Sequence, residues 1–208
     1  MVAKKSKGWR SGKREVRPRM VQMTRHLVVT EGKETEPRYF EGVRAALCAA
    51  DERKVAVIVK GTGKHTLDLL DFAVEHCRYA PETFDHVWLV FDKDDFPASD
   101  FDAMERKCTK LSDGSRTFHA LWSNPCFKLW PLLHFRYTSA PMSAAECQRA
   151  LAQAMSKDLG IEYRKNLGGL FEAVDDKRGE ALQRAGRLDT HHRELGNLNP
   201  SLQNPATK

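Results

Sequence analysis

The sequence lacks any long, uninterrupted run of apolar residues. A membrane-spanning helix needs about 20 predominantly apolar residues, and no stretch of the 208-residue chain approaches this length. The basic N-terminus also lacks the apolar segment of a secretory signal peptide. We therefore expect neither a membrane-spanning helix nor a secretory leader, and no membrane partner.

Closely spaced cysteine pairs are missing as well. The chain has five cysteines, an odd number, and no two of them form a C-x-x-C pair. They are Cys48, Cys77, Cys108, Cys126 and Cys147. The simplest interpretation is reduced, mostly buried thiols in a cytoplasmic protein.

Positive charge is concentrated at one end of the chain. Residues 1–19 hold eight of the 34 lysines and arginines and a single acidic residue, Glu15, so the other 189 residues have a net charge of −1. A basic segment with glycine and serine but no apolar periodicity is typical of disorder, which predicts a disordered arm over residues 1–24. Such an arm is either an electrostatic tether to nucleic-acid phosphates or a solubilising leader.

Short apolar runs alternate with helical patterns along residues 25–125. The runs that predict strands are residues 25–30, 54–59, 86–91 and 116–122. Between them apolar residues recur at helical spacing, as at Phe40, Val43 and Leu47. Strands that are apolar on both faces are typical of a parallel sheet with helices on each side. The sequence therefore predicts an α/β fold with an open, mainly parallel sheet flanked by helices.

The rest of the chain has helical character until close to its end. Ser143 and Glu146 have the spacing of a capping box, and an apolar stripe continues after them. We expect a helical region over residues 126–196, packed on the core. From residue 197 the composition shifts to Asn, Pro, Ser and Gln, which predicts an extended or loose tail over residues 197–208.

Acidic residues follow two of the predicted strands, at the point where each strand ends. Glu31 comes directly after the first strand, and Asp92, Asp94 and Asp95 follow the third. In open parallel sheets, ligands bind beyond the carboxyl ends of the strands. Asp92 and Asp94 share a face if strand geometry continues, because side chains alternate along a strand. Clustered carboxylates repel one another unless a proton or a cation lies between them.

Magnesium is the cation that this pattern favours, with Mn²⁺ as a substitute. Mg²⁺ prefers oxygen ligands and often uses one or two protein carboxylates together with water and phosphate. We expect Asp92 and Asp94 to bind it, with Glu31 as a shared ligand or a general base. Glu36 and Asp95 are further ligand candidates. In the alternative interpretation, the aspartates only cap backbone N–H groups at loops and helix starts.

Several polar residues near the same edge are candidates for binding phosphate or nucleic acid. They are Lys60, Lys64, Lys93, Ser123 and Asn124. The segment KGTGKHT, residues 60–66, resembles a phosphate-binding loop, but Ile58 stands where that loop has its leading glycine. It is better described as a glycine-rich turn after the second strand. Ser123 and Asn124 follow the fourth strand, where they orient water or phosphate or cap the next helix.

Three segments together resemble the RloB family, whose core is similar to a Toprim domain. They are VVTEGKETEPRYF, VFDKDDF and SNPCFKLWPLLHF, and the resemblance covers roughly residues 25–205. Toprim domains bind Mg²⁺ and serve topoisomerases, primases and the overcoming-lysogenization-defect nucleases. By this resemblance, Glu31 corresponds to the Toprim glutamate, and Asp92 and Asp94 correspond to its D-x-D. Glu36 is similar to the second acid of an extended E-G-x-x-T-E motif.

The resemblance also implies a function and a partner. RloB proteins are associated with bacterial restriction and phage-defence loci, often beside an ATPase of the AAA or ABC type. This implies a Mg²⁺-dependent nuclease that cleaves DNA or RNA in antiviral defence, gated by an ATPase. Lys128 stands where the family usually has a glutamate that resembles a metal ligand of the nucleases. The lysine removes one metal site, supplies charge to the scissile phosphate, or marks an inactive protein.

Two other functions stay open at the level of sequence. One is a catalytically inactive, metal-binding subunit that recognises nucleic acid or regulates its partner. The other is a haloacid-dehalogenase-like phosphatase, in which the first aspartate of a D-x-D is the nucleophile. That motif usually lies on the first strand with an apolar residue between the acids. Here it follows the third strand and contains Lys93.

Overall fold

A computed structural model describes residues 23–51, 54–93 and 97–208. Most of the predicted basic arm lies outside these residues, and so do Asp94 and Asp95. The described strands are β1 Thr24–Thr30, β2 Val55–Gly61, β3 His86–Asp92, β4 Thr117–Asn124 and β5 Ala206–Thr207. The described α-helices are α1 Thr35–Asp51, α2 Thr66–Tyr79, α3 Ala98–Leu111, α4 Leu129–Phe135, α5 Ala144–Leu159, α6 Leu170–Val174 and α7 Arg178–Glu194. Short 3₁₀ turns follow at Asp175–Lys177 and Pro200–Leu202.

The strands form one five-stranded sheet in the order β2-β1-β3-β4-β5. The first four strands pair in parallel, and only β5 is antiparallel, against the end of β4. Helices cover both faces of this sheet, so the predicted α/β fold with a mainly parallel, helix-flanked sheet is confirmed. The chain runs outward from β1 to β2 and then crosses to β3 on the other side of β1. The order therefore reverses between β1 and β3, which is where open α/β sheets form a crevice for ligands.

Apolar residues of the inner strands alternate between two cores. Leu27, Val29 and Leu89 pack against α2 and α3 on one face. Val28 and Val90 pack on the other face, against α1 and the helices that follow β4. Burying a side chain of this kind contributes about 1.5–3 kcal/mol, so strands that are apolar on both faces hold the sheet between two helical layers.

The helical region after β4 follows the local signals in the sequence. Ser143 begins α5 with a complete capping box, since its hydroxyl accepts a hydrogen bond from the Glu146 N–H and the Glu146 carboxylate accepts one from the Ser143 N–H. Gly160 ends the helix in the left-handed conformation, with φ at 68°. None of the helices in the described part of the chain has both the length and the apolar character needed to cross a bilayer. All five cysteines are free thiols, and four of them are buried.

The C-terminal segment, residues 197–208, differs from the loose tail that its composition predicts. Its last residues form β5, and the Asn124 side-chain amide donates to the carbonyls of Pro200 and Ser201 at 3.3 and 3.2 Å. The Asp102 carboxylate accepts hydrogen bonds from both the N–H and the hydroxyl of Ser201. These partners lie 76 to 99 positions earlier in the chain. Composition does not reveal such order, because it comes from long-range hydrogen bonds and not from a local pattern.

Candidate functional site

Glu31 and Asp92 lie side by side at the carboxyl edge of the sheet. β1 and β3 are neighbours, with Thr30 in register with Val90. The Glu31 N–H donates to the Val90 carbonyl at 2.9 Å, and the Asp92 N–H donates to Glu31 Oε2 at 3.2 Å. The Glu31 side chain is only 18% exposed. The structure thus brings together the two strand-end acidic residues that the sequence singles out.

Glu36 reaches the same region because the turn after β1 is tight. The Thr30 hydroxyl donates to the Gly32 carbonyl at 2.8 Å, which folds the chain back toward the start of α1. A methyl group at Gly32 would overlap the Glu36 carboxylate, so the missing side chain leaves the room that this carboxylate occupies. Glycine at this position therefore lets an acidic side chain of α1 lie over the end of β1.

These residues line a cleft of about 560 Å³ that contains charges of both signs. Its acidic side chains are Glu31, Glu34, Glu36 and Asp92. Its basic side chains are Lys33, Lys128 and Lys165. Carboxylates suit a divalent cation and lysines suit phosphate, so the cleft offers ligands for both parts of a metal–phosphate complex.

Lys128 is half-buried in this cleft, directly before α4. Burial opposes its charge and by itself lowers the pKa of the ammonium group, but the electrostatic influence of nearby groups is larger and the pKa is raised overall. The groups that raise it are Cys126, Tyr163, Asp92 and Glu36. The raised pKa keeps Lys128 positively charged at neutral pH, beside the carboxylates.

Lys165 comes from a loop that the sequence does not mark as functional. The Thr35 hydroxyl donates to the Lys165 carbonyl and the Arg38 guanidinium donates to the Asn166 carbonyl, which holds the loop between α5 and α6 against the first turn of α1. Thr35 and Lys165 are 130 positions apart. Lys33 was also missed, although it lies inside the acidic motif itself. The signal in the sequence that marks it is its position among three glutamates, Glu31, Glu34 and Glu36.

The other phosphate candidates have different surroundings. Ser123 is in register with Asp92, but it is buried and its hydroxyl lies 3.0 Å from the Thr207 hydroxyl. Asn124 is also buried, and its amide is bonded to the C-terminal segment as described above. Both side chains therefore hold β5 and its approach in place and do not line the cleft. Lys60 and Lys64 are exposed and also lie outside the residues that line it.

Two acidic residues among those that the structure describes, Glu31 and Asp92, are placed where they could bind Mg²⁺. No group of three or more His, Cys, Asp or Glu side chains in the described ranges is arranged to hold a metal ion, and Asp94 and Asp95 lie outside those ranges. Glu31 and Asp92 nonetheless supply carboxylates from adjacent strands. One or two protein carboxylates are sufficient for Mg²⁺ when water and phosphate complete its ligands.

Comparison with known proteins gives one match. No curated protein and no solved structure matches the chain. A family model described as RloB-like protein matches residues 26–208, which is most of the sequence and includes every residue of the cleft. The resemblance seen in the sequence motifs is confirmed, and the chain belongs to the RloB-like family.

Proposed function

We propose that this protein is a Mg²⁺-dependent nuclease with a Toprim-like core, which hydrolyses phosphodiester bonds of DNA or RNA in antiviral defence. The observation that carries the proposal is the contact between the Asp92 N–H and Glu31 Oε2, 3.2 Å apart at the carboxyl edge of the parallel sheet. It places the backbone of Asp92 against the Glu31 carboxylate, in a cleft that both residues line together with three lysines. Membership of the RloB-like family supports the defence role and an AAA- or ABC-type ATPase partner in the cytoplasm.

Six charged residues of the cleft have a role in this proposal. Asp92 and Glu31 would hold the metal, with Asp94, Asp95 and Glu36 as further candidate ligands, and bound Mg²⁺ would polarise the phosphoryl oxygens. Glu31 also accepts the proton of the attacking water at Oε1, because Oε2 already accepts the Asp92 N–H. Lys128 pairs with the charge that develops on the phosphate. Lys33 and Lys165 bind flanking phosphates at the mouth of the cleft, and the exposed Lys60 and Lys64 and the half-buried Lys93 extend this basic surface.

A cleavage assay with matched variants tests the proposal. Supercoiled plasmid and a folded RNA are incubated with the protein in Mg²⁺, Mn²⁺ or EDTA, with and without the neighbouring ATPase. We expect metal-dependent cleavage that falls by about 10²–10⁴-fold in Glu31→Gln and is lost in Asp92→Asn. Asp68→Asn, an exposed carboxylate in the first turn of α2, is the control and should cleave like wild type. Equal cleavage by all four proteins would show that the activity has another source.

One observation favours the alternative, an inactive subunit that binds nucleic acid or regulates its partner. Lys128 places an ammonium group within electrostatic reach of Asp92 and Glu36, where it supplies positive charge that a second cation would otherwise provide. In an inactive protein, Lys128→Glu should switch Mg²⁺-dependent cleavage on. In an active nuclease, both Lys128→Glu and Lys128→Ala should lower cleavage.

A further inference from the structure

The loop between β2 and α2 is attached to the end of β1. The Thr62 N–H and hydroxyl both lie 3.0 Å from the Thr30 carbonyl, to which they donate. The Gly63 N–H donates to the Glu31 carbonyl at 2.8 Å. The loop is thus bonded to the backbone of the residue whose carboxylate lies in the cleft.

Two glycines allow this close approach. A methyl group at Gly61 would lie 2.6 Å from Pro37 Cγ and 3.0 Å from the Gly32 carbonyl oxygen. Gly63 has φ at 67°, a left-handed conformation that other residues rarely adopt. The segment KGTGKHT does not match a phosphate-binding loop, but its glycines have a structural role. Its glycines bring the loop against the acidic turn after β1.

This attachment places the His65 side chain next to the Glu31 carboxylate. Its Nδ1 lies 3.6 Å from Glu31 Oε1, the carboxylate oxygen opposite the one that accepts the Asp92 N–H. The His65 side chain is 73% exposed, whereas that of Glu31 is 18% exposed. The imidazole therefore stands exposed beside the half-buried Glu31 carboxylate, next to the cleft that Glu31 lines. A phosphate that reacts beside Glu31 Oε1 would lie close to this imidazole.

We propose that His65 is a catalytic residue that donates a ring N–H hydrogen bond to a non-bridging oxygen of the scissile phosphate. This inference rests on the proposed nuclease function. An imidazole carries at least one N–H in every protonation state, so it always offers a donor. A water attacking from Glu31 Oε1 sits about 3–3.5 Å from phosphorus, which places the phosphate oxygens within reach of an imidazole that already lies 3.6 Å from the same carboxylate oxygen. Hydrogen bonds to an anionic acceptor are the strong ones, so the contact supports binding and reaction.

A purely structural role is the competing explanation, in which His65 only orients Glu31. The two roles differ in metal binding, because a misplaced Glu31 would change the affinity for a cation even without nucleic acid. The experiment compares His65→Ala, His65→Gln, which retains an N–H donor, and the control His76→Ala at the other end of α2. Cleavage is measured in Mg²⁺, and Mn²⁺ affinity is measured by calorimetry in the absence of nucleic acid.

The proposal predicts a specific pattern. His65→Ala should lower cleavage by about 10- to 100-fold, the loss expected for a hydrogen bond to a charged group. His65→Gln should recover part of this loss, and His76→Ala should match wild type. Mn²⁺ affinity should stay close to that of wild type, since His65 is not a metal ligand in this assignment, whereas loss of a residue that orients a metal ligand typically lowers metal affinity by about 10–100-fold.

Three results would overturn the assignment. His65→Ala that cleaves like wild type, while Asp92→Asn is inactive, would remove His65 alone and leave the nuclease function standing. A loss of cleavage matched by an equal change in Mn²⁺ affinity would make His65 a residue that only orients Glu31. Full activity in Glu31→Gln and Asp92→Asn would instead refute the nuclease site and His65 with it.

If wild type cleaves nucleic acid neither alone nor with the ATPase, a binding assay still tests the contact between His65 and phosphate. Binding of a fluorescein-labelled oligonucleotide is then measured in Ca²⁺ for wild type, His65→Ala and His76→Ala. Weaker binding in His65→Ala alone supports the phosphate contact. Equal binding by all three proteins overturns it.

Discussion

Two buried tyrosines offer a sharp test of how polar groups contribute to this fold. Tyr39 and Tyr163 are both buried, at 4% and 8% exposure, and both belong to the core that packs beneath the cleft. The Tyr39 hydroxyl accepts a hydrogen bond from Trp130 Nε1 at 2.7 Å. The Tyr163 hydroxyl is buried and has no hydrogen-bond partner among the described residues. Replacement by Phe removes one oxygen in each case and leaves the ring in place.

The structure predicts opposite outcomes for these two substitutions. Tyr39→Phe leaves the Trp130 N–H inside the protein without its acceptor, which costs about 1–3 kcal/mol. For a chain of this size each kcal/mol shifts Tm by about 2–4 °C, so Tm should fall by about 2–12 °C. Tyr163→Phe breaks no hydrogen bond among the described residues and removes a buried polar atom that has no hydrogen-bond partner there. Its Tm should therefore equal or exceed that of wild type.

Thermal unfolding, followed by circular dichroism or calorimetry, measures the Tm of both variants and of wild type under the same conditions. The far-UV circular dichroism spectrum of each variant at low temperature serves as a check that the fold is retained. If Tyr163→Phe lowered Tm as much as Tyr39→Phe, the Tyr163 hydroxyl would have a partner in solution. That result would refute the expected difference between the two substitutions.

Three further predictions concern the C-terminal segment, the β2–α2 loop and pH. Asn124→Ala should lower Tm, since two carbonyls of the C-terminal segment lose their hydrogen-bond donor. The same variant should be cut faster within that segment by a protease, and an unchanged rate of proteolysis would contradict this. Gly61→Ala forces a methyl group against Pro37, an overpacking that costs about 1–3 kcal/mol, and should also weaken Mn²⁺ binding measured by calorimetry. His26 and His119 have pKa values lowered first by burial and then by neighbouring histidines, from an ordinary 6.5. The unfolded chain therefore binds more protons, and stability present above about pH 6.5 should be lost as pH falls below it. His119→Phe should make the fall of Tm with acid shallower, and an unchanged slope would refute the argument.

Much of the fold is readable from local patterns. The first four strands and the helices between them lie where apolar runs and helical spacing predict, with ends that differ by one or two residues. The capping box at Ser143 and Glu146 also lies where the sequence predicts it. These features can be predicted from the sequence because each depends on residues within a few positions of one another. At that range the spacing of apolar residues and the capping residues can be recognised directly.

Position at the end of a strand does not by itself determine which residues belong to the site. Glu31 and Asp92 were found because both follow apolar strands, and the parallel sheet brings strand ends to one edge. Ser123 and Asn124 follow a strand in the same way, yet they bind the C-terminal segment. Strand position indicated the edge for all four residues, but it did not indicate which other segments compete for their hydrogen bonds.

By itself the sequence determined the parallel α/β sheet, its helical layers, the acidic edge and the family. Only the tertiary structure decided which side chains share that edge. Lys165 reaches the cleft because its carbonyl accepts a hydrogen bond from the Thr35 hydroxyl in the first turn of α1. His65 lies beside Glu31 because the N–H groups of Thr62 and Gly63 in its loop donate to the carbonyls of Thr30 and Glu31. The C-terminal segment gains order from partners far away in the chain. The physical reason is range: helix and strand patterns repeat over a few residues, whereas a site is assembled by contacts between segments whose separation leaves no periodic trace.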